Sequence, residues 1–333
     1  MNRRLVFALW AMASIMVLIQ GFSGVAHADP KLERLLKTEA PIQWKEHQRL
    51  ALRSTGTVDA IQHLTIRSNE SDQVVDETEK HFFGSFASQE GLIKAVYRSQ
   101  AGSTEYVCSR ARDYGFYLYR DGQQNKYVIS NVEITGVQNS NFLKHCTSVL
   151  MSATGLESLQ LPIMVADPSF RLLAIDEVDG DEARVRLRCD YAPEGIPARR
   201  DLQIVLDRSN GWAVLTWEEI DGNLITSAVT TYEPELRGEN KLRLPNKQIL
   251  TVRNRDEKEH SILVCTRTLN EAEFDIDVPD AEFGLSHFGL PEPNRAGPSS
   301  RWRGWLLPVV AIQVGLLLIL AVRYRNRKPA VGK

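Results

Sequence analysis

The sequence lacks every short motif that would announce a common chemistry. Its 333 residues hold no G-x-S-x-G elbow, no H-E-x-x-H, no phosphate-cradling P-loop and no G-x-G-x-x-G. No two of its histidines stand two or three positions apart, so no local pair offers a metal site. Ser286 and His287 adjoin, but neighbours on an extended chain point to opposite sides. Cysteine is scarce, four in all, and no C-x-x-C occurs, which removes the usual redox and zinc-knuckle patterns. There is no internal repeat of fixed period. These absences argue against a catalytic protein, and none of them calls for a cofactor or a metal.

Acidic residues are missing from both ends. Arg3 and Arg4 stand alone in the first 28 residues, and Arg301, Arg303, Arg323, Arg325, Arg327, Lys328 and Lys333 stand alone after residue 300. Nine of the 40 basic residues therefore lie outside the middle, and the 31 that remain there face all 42 acids. A middle section carrying a net charge of about −11 offers no clustered cationic face for phosphates. Nucleic acid is excluded as a partner on that ground.

The ends are read as targeting signals. Arg3-Arg4, the apolar Leu5–Ile19 run and the small-x-small Ala26-His27-Ala28 form a secretory leader, residues 1–28, cleaved before Asp29. Trp305–Val322 is uncharged and just long enough to cross a hydrocarbon core about 30 Å thick. Trp302 and Trp305 at one end and Tyr324 at the other are placed as interfacial aromatics. Arg323 and Arg325 open a basic tail, 323–333, that stops transfer. The expected topology is a single-pass protein of the cell membrane. Its N-terminal domain is extracytoplasmic, whether periplasmic or on the cell surface, and its C-terminus is cytoplasmic. In that compartment Cys108, Cys146, Cys189 and Cys265 are permitted to form disulfides. Proximity in sequence favours Cys108–Cys146 with Cys189–Cys265, and buried thiols are the alternative.

Between the ends lies a β-rich domain, 29–290, followed by a Pro- and Gly-rich linker, 291–304. Asp29-Pro30 followed by Leu32, Leu35 and Leu36 predicts a short helix, while residues 41–56 show no clear pattern. From Thr57 the texture is β. Strands are expected at Glu79–Phe86, Leu92–Arg98, Glu105–Arg110, Tyr114–Arg120 and Lys126–Ile134, then a packing helix over 140–152 and a loop from Leu161 to Pro168. The second β series is clearer. Ala183, Val185, Leu187 and Cys189 alternate with polar residues, and Asn210-Gly211 joins Asp201–Arg208 to Trp212–Glu218 as a hairpin. Asp176, Glu177, Asp179, Asp181 and Glu182 around Gly180 read as a solvated turn, because a full calcium-loop pattern is missing. The two series, about 57–138 and 169–290, allow two sub-sheets. The fold class is α+β, mainly β: curved antiparallel sheets with a few packing helices, plus one C-terminal transmembrane helix.

This order of parts resembles the LolA/RseB-type superfamily of bacterial envelope proteins. The nearest local matches are Tyr114–Gly122, which reads YGFYLYRDG, and the Asn210-Gly211 hairpin. The resemblance implies a half-open antiparallel sheet that receives acyl chains or lipoproteins in an apolar concavity without catalysis. No functional residue carries over, because no family motif is matched. The aromatic strands nominate Tyr117, Tyr119 and Trp217 as the lining of such a cavity. Two functions follow as expectations: a membrane-anchored lipid- or lipoprotein-binding module, or a surface structural protein that binds a protein partner and no small ligand.

Overall fold

The computed structural model describes residues 29–293, with gaps at 69–70, 72, 91, 99–103, 123–125, 134–140, 158, 196 and 256–258. The expected leader, transmembrane helix and basic tail lie outside the described residues, and so do Trp302, Trp305, Arg323, Tyr324 and Arg325. No described helix is long and apolar enough to cross a membrane.

The chain opens with α1 (Pro30–Thr38), capped as the sequence predicts. The Asp29 carboxylate accepts from the Lys31 amide at 2.8 Å and the Leu32 amide at 3.4 Å, and Pro30 takes a position that has no N–H to satisfy. Helix α2 (Ala40–Ala51) follows at once, in the stretch without a clear pattern, and buries Trp44, His47 and Leu50.

A meander then runs through β1 (Arg53–Ser68), β2 (Val74–Gln89), β3 (Leu92–Arg98), β4 (Thr104–Arg110), β5 (Gly115–Asp121) and β6 (Val128–Glu133). The chain crosses over through α3 (Asn141–Leu150), a small hairpin of β7 (Gly155–Leu156) and β8 (Leu159–Gln160), and α4 (Leu161–Ala166). It returns through β9 (Phe170–Val178), β10 (Asp181–Tyr191), β11 (Arg199–Asp207), β12 (Ala213–Asp221), β13 (Leu224–Arg237), β14 (Leu242–Arg255) and β15 (Glu259–Phe274). The last strand pairs with the first, Ala60 opposite Arg267 and Leu64 opposite Leu263. Both β series thus join one antiparallel sheet of 13 strands, ordered β6-β5-β4-β3-β2-β1-β15-β14-β13-β12-β11-β10-β9. A sheet this wide accumulates twist from strand to strand and curls.

Three local differences from the sequence reading have simple causes. The stretch read as a loop from Leu161 to Pro168 begins with α4, because Pro162 presets a helical φ and Leu161 and Met164 bury an apolar side. The Asn210-Gly211 connection is wider than a two-residue turn. Arg208–Asn210 forms a 3-10 turn, and Gly211 and Trp212 both take positive φ, 63° and 60°. Asn210 is needed elsewhere: its side chain donates to the Arg243 carbonyl at 3.0 Å and accepts from the Arg243 amide at 2.6 Å. Strands β13 to β15 also run for 14 to 16 residues, longer than their apolar alternation suggests, because they continue as polar ribbon beyond the core. By contrast, the acidic turn is as read: Asp179 and Gly180 take φ of 53° and 73° between β9 and β10.

The four described helices lie on one face of the sheet, here called the inner face. One core unites α1, α2 and α4 with the inner sides of β9–β15 around Trp44, Trp212, Leu187 and Ile204. The Trp44 indole donates to the Trp212 carbonyl at 2.8 Å, which ties α2 to the β11–β12 hairpin. A second core sets α3, through Leu143, Cys146, Val149 and Leu150, against Val58, Phe86, Ala95 and Leu269. On the outer face a third, smaller core forms where Val278 and Phe283 of the C-terminal segment cover Ala87 and Leu92. On that outer side β5 buries Phe116 and Leu118 fully, while Tyr117 and Tyr119 on its inner side are half-buried and exposed.

Candidate ligand-binding face

Strand alternation sorts the inner face into rows across the sheet. Gln248, Arg267 and Ala60 form one row, deeply buried. Leu250, Cys265 and Gln62 form the next, and Ala228 and Trp217 extend it. In the third row Val252, Leu263 and Leu64 are only half-buried. Burial falls from the second row to the third, where apolar sheet has only partial cover. This step from sealed to open apolar surface is the geometry that could receive an acyl chain.

At the seam between the two large cores sits a buried polar cluster. Arg267, 4% exposed, donates from Nε to His145 Nδ1 at 3.1 Å. Its Nη1 donates to Glu157 Oε1 at 2.6 Å and to Gln248 Oε1 at 2.5 Å. His145 on α3 is 3% exposed, and the Gln62 amide lies 3.5 Å from its Nε2. Because Nδ1 accepts, the single ring proton belongs on Nε2. Burial first, then the Arg267 charge, push the His145 pKa down to about 4. The same burial raises the neighbouring Cys265 thiol above its ordinary range. The cluster therefore holds one permanent cation, one carboxylate and a neutral imidazole, and the Cys265 thiol, its pKa raised by burial, lies 3.8 Å from His145 Nδ1. Among the described residues no group of His, Cys, Asp or Glu is gathered to hold a metal ion.

The nominated aromatics do not meet. Tyr117 and Tyr119 share the inner face of β5, with Tyr117 half-buried beside Cys108 and Tyr119 39% exposed. Burial, then the Cys108 thiol, raise the Tyr117 phenol. Trp217 belongs to the other core, 3% exposed, and among the described residues its Nε1 meets no acceptor. Nearer to Tyr117, Tyr97 and Tyr106 stack at 5.2 Å, and Phe82 lies 5.0 Å from His145, ring to ring. A cavity of about 490 Å³ lies away from all three, lined mainly by polar groups including Glu90, Arg110, Arg112 and Asp280. Such walls suit water and ions rather than an acyl chain.

All four cysteines are buried thiols and no disulfide is formed. The pairing of Cys189 with Cys265 is overturned by topology. They sit on β10 and β15 with four strands between them, and ladder steps of about 4.8 Å outrun the ~7 Å reach of a disulfide. Cys108 and Cys146 share the second core.

Sequence reasoning passed over Arg267 and Glu157. A signal was present for the first: in Val264–Leu269, Arg267 shares parity with Cys265 and Leu269, which places a charge on the apolar side of a strand. Glu157 had none, because its partner lies 110 positions away.

No protein-family model matches this sequence, and no curated protein matches it. Several solved structures are similar. A putative outer membrane lipoprotein-sorting protein domain from Vibrio parahaemolyticus is 9% identical, with a TM-score of 0.37 over 76% of this chain and 97% of its own. A DUF1329 family protein from Desulfovibrio piger is 10% identical, with a TM-score of 0.39 over 79% of this chain and 100% of its own. The MucA/MucB complex of Pseudomonas aeruginosa gives 9% identity and a TM-score of 0.18 over 70% of this chain. At these scores no ligand or activity passes from those proteins to this one.

Proposed function

We propose that this protein is a non-catalytic, membrane-anchored extracytoplasmic module that binds the acyl part of a lipid or lipoprotein on the inner face of its sheet. The supporting observation is the row Leu64, Leu263 and Val252, an apolar stretch of the inner face that is only half-buried. Fully burying one such side chain is worth about 1.5–3 kcal/mol, so an acyl chain laid along several of them gains useful affinity. Residues 1–28 would deliver the domain across the membrane, and 305–322 would hold it there.

The test is native mass spectrometry of the full chain, extracted from membranes in a mild non-ionic detergent. A retained mass in the fatty-acid or phospholipid range is expected. A chain that stays at its bare mass, and still does so after incubation with lipids, would refute the reading. It would favour the second one, a surface protein whose partner is another protein. That alternative draws on the outer face, where Phe83 is 54% and Ile61 38% exposed.

A further inference from the structure

A folded core has no need of a buried guanidinium. Replacing a buried ion pair by apolar side chains of similar volume is often neutral or stabilising, so Arg267 calls for another explanation. It stands at the centre of the sheet, two rows deeper than Leu263, with both large cores beside it. Among the described residues its one anionic partner is Glu157, and no acceptor meets its Nη2. Glu157 itself sits at φ 55° in the tight β7–β8 turn, a conformation that disfavours a side-chain-bearing residue. Its side chain is 29% exposed, against 5% for that of Arg267. The carboxylate therefore reaches the buried cation from the solvent side, which marks a path to it.

We propose that Arg267 is a head-group site: it takes the oxyanion of an acyl amphiphile, a carboxylate or a phosphate, in place of the Glu157 carboxylate. This rests on the acyl-binding reading above and gives it a substrate class. The guanidinium offers a planar fork that matches either oxyanion with two parallel N–H bonds, of which Glu157 uses one nitrogen. With the head at Arg267, the acyl tail is directed toward Leu263, Leu64 and Val252, and the sealed Cys265 row between must part to admit it. Glu157 keeps the cation neutralised while the site is empty and competes with the ligand for it.

The test compares oleate, dioleoyl phosphatidic acid and uncharged methyl oleate on the full chain in non-ionic detergent, with affinities read by native mass spectrometry. The wild type should prefer an oxyanion-headed ligand to methyl oleate by about tenfold or more, the usual yield of a charge-assisted bond. Whichever of oleate and phosphatidic acid binds more tightly identifies the source of the oxyanion. Glu157→Gln should tighten that ligand about tenfold further by removing the competitor, a gain that a merely structural brace would not produce. Arg267→Gln should abolish the preference, with circular dichroism confirming that it folds. Equal binding of oleate and methyl oleate, in both the wild type and Glu157→Gln, would overturn the head-group site and leave acyl binding standing. Failure of all three ligands would overturn both.

Discussion

His145 accepts a hydrogen bond from a guanidinium, so a second proton on its ring would be buried, against that charge and without the bond. Its pKa falls to about 4 from an ordinary 6.5. The unfolded chain therefore takes up the proton first. The stabilisation is complete above pH 6.5 and is lost progressively as pH falls toward 4, by up to about 3 kcal/mol for this one site. His47 shifts in the same direction, chiefly through burial, although its bond to the Asn210 carbonyl at 2.8 Å opposes that. Urea denaturation at pH 7.5 and pH 5 should show the loss, and His145→Gln should flatten much of the difference. An unchanged midpoint between the two pH values would refute the assignment. Gly211 makes a second prediction at this scale. Its φ is 63°, and a Cβ there would stand 2.7 Å from Leu242 Cδ2. Gly211→Ala is expected to cost more than about 1 kcal/mol, read as a lowered melting temperature.

Among the elements, the C-terminal segment after β15 closes the outer face. Phe283 is fully buried on the outer face, its carbonyl accepts from the Ser109 hydroxyl at 2.9 Å, and the Tyr114 hydroxyl accepts from the Leu285 amide at 3.0 Å. Phe283→Ala should cost about 3–5 kcal/mol by thermal or denaturant unfolding, although no ligand is proposed to touch it. Helix α3 was legible from the spacing of Leu143, Cys146, Val149 and Leu150, because a helix that covers a sheet must carry its apolar residues on one side. What it covers was not legible. His145 looked like a polar residue on such a helix, and only the sheet beneath supplies its partner. Helix α4 was missed because six residues are too few for a periodic pattern, and the strand ends were missed because exposed ribbon carries no alternation.

For the whole molecule, the open apolar row gives a direct test that leaves the cores alone. Leu263→Asp places a charge on a half-buried position, so the protein should fold while its capture of acyl ligands falls at least tenfold, about the transfer cost of one side chain. Undiminished capture would move the binding site elsewhere. The local propensities were determined by the sequence alone: which segments are strands, where α1 and α3 begin, and that the Asp179-Gly180 and Asn210-Gly211 segments turn. These follow from contacts between residues close in the chain, where periodicity and backbone preference act. The tertiary structure alone decided that β1 meets β15, making one sheet of two series, that Tyr117 and Trp217 part company, and that Arg267 finds Glu157 and His145. Those outcomes depend on contacts 110 to 200 or more positions apart, and in a curled sheet they are set by the burial of the whole surface at once, which no local pattern encodes.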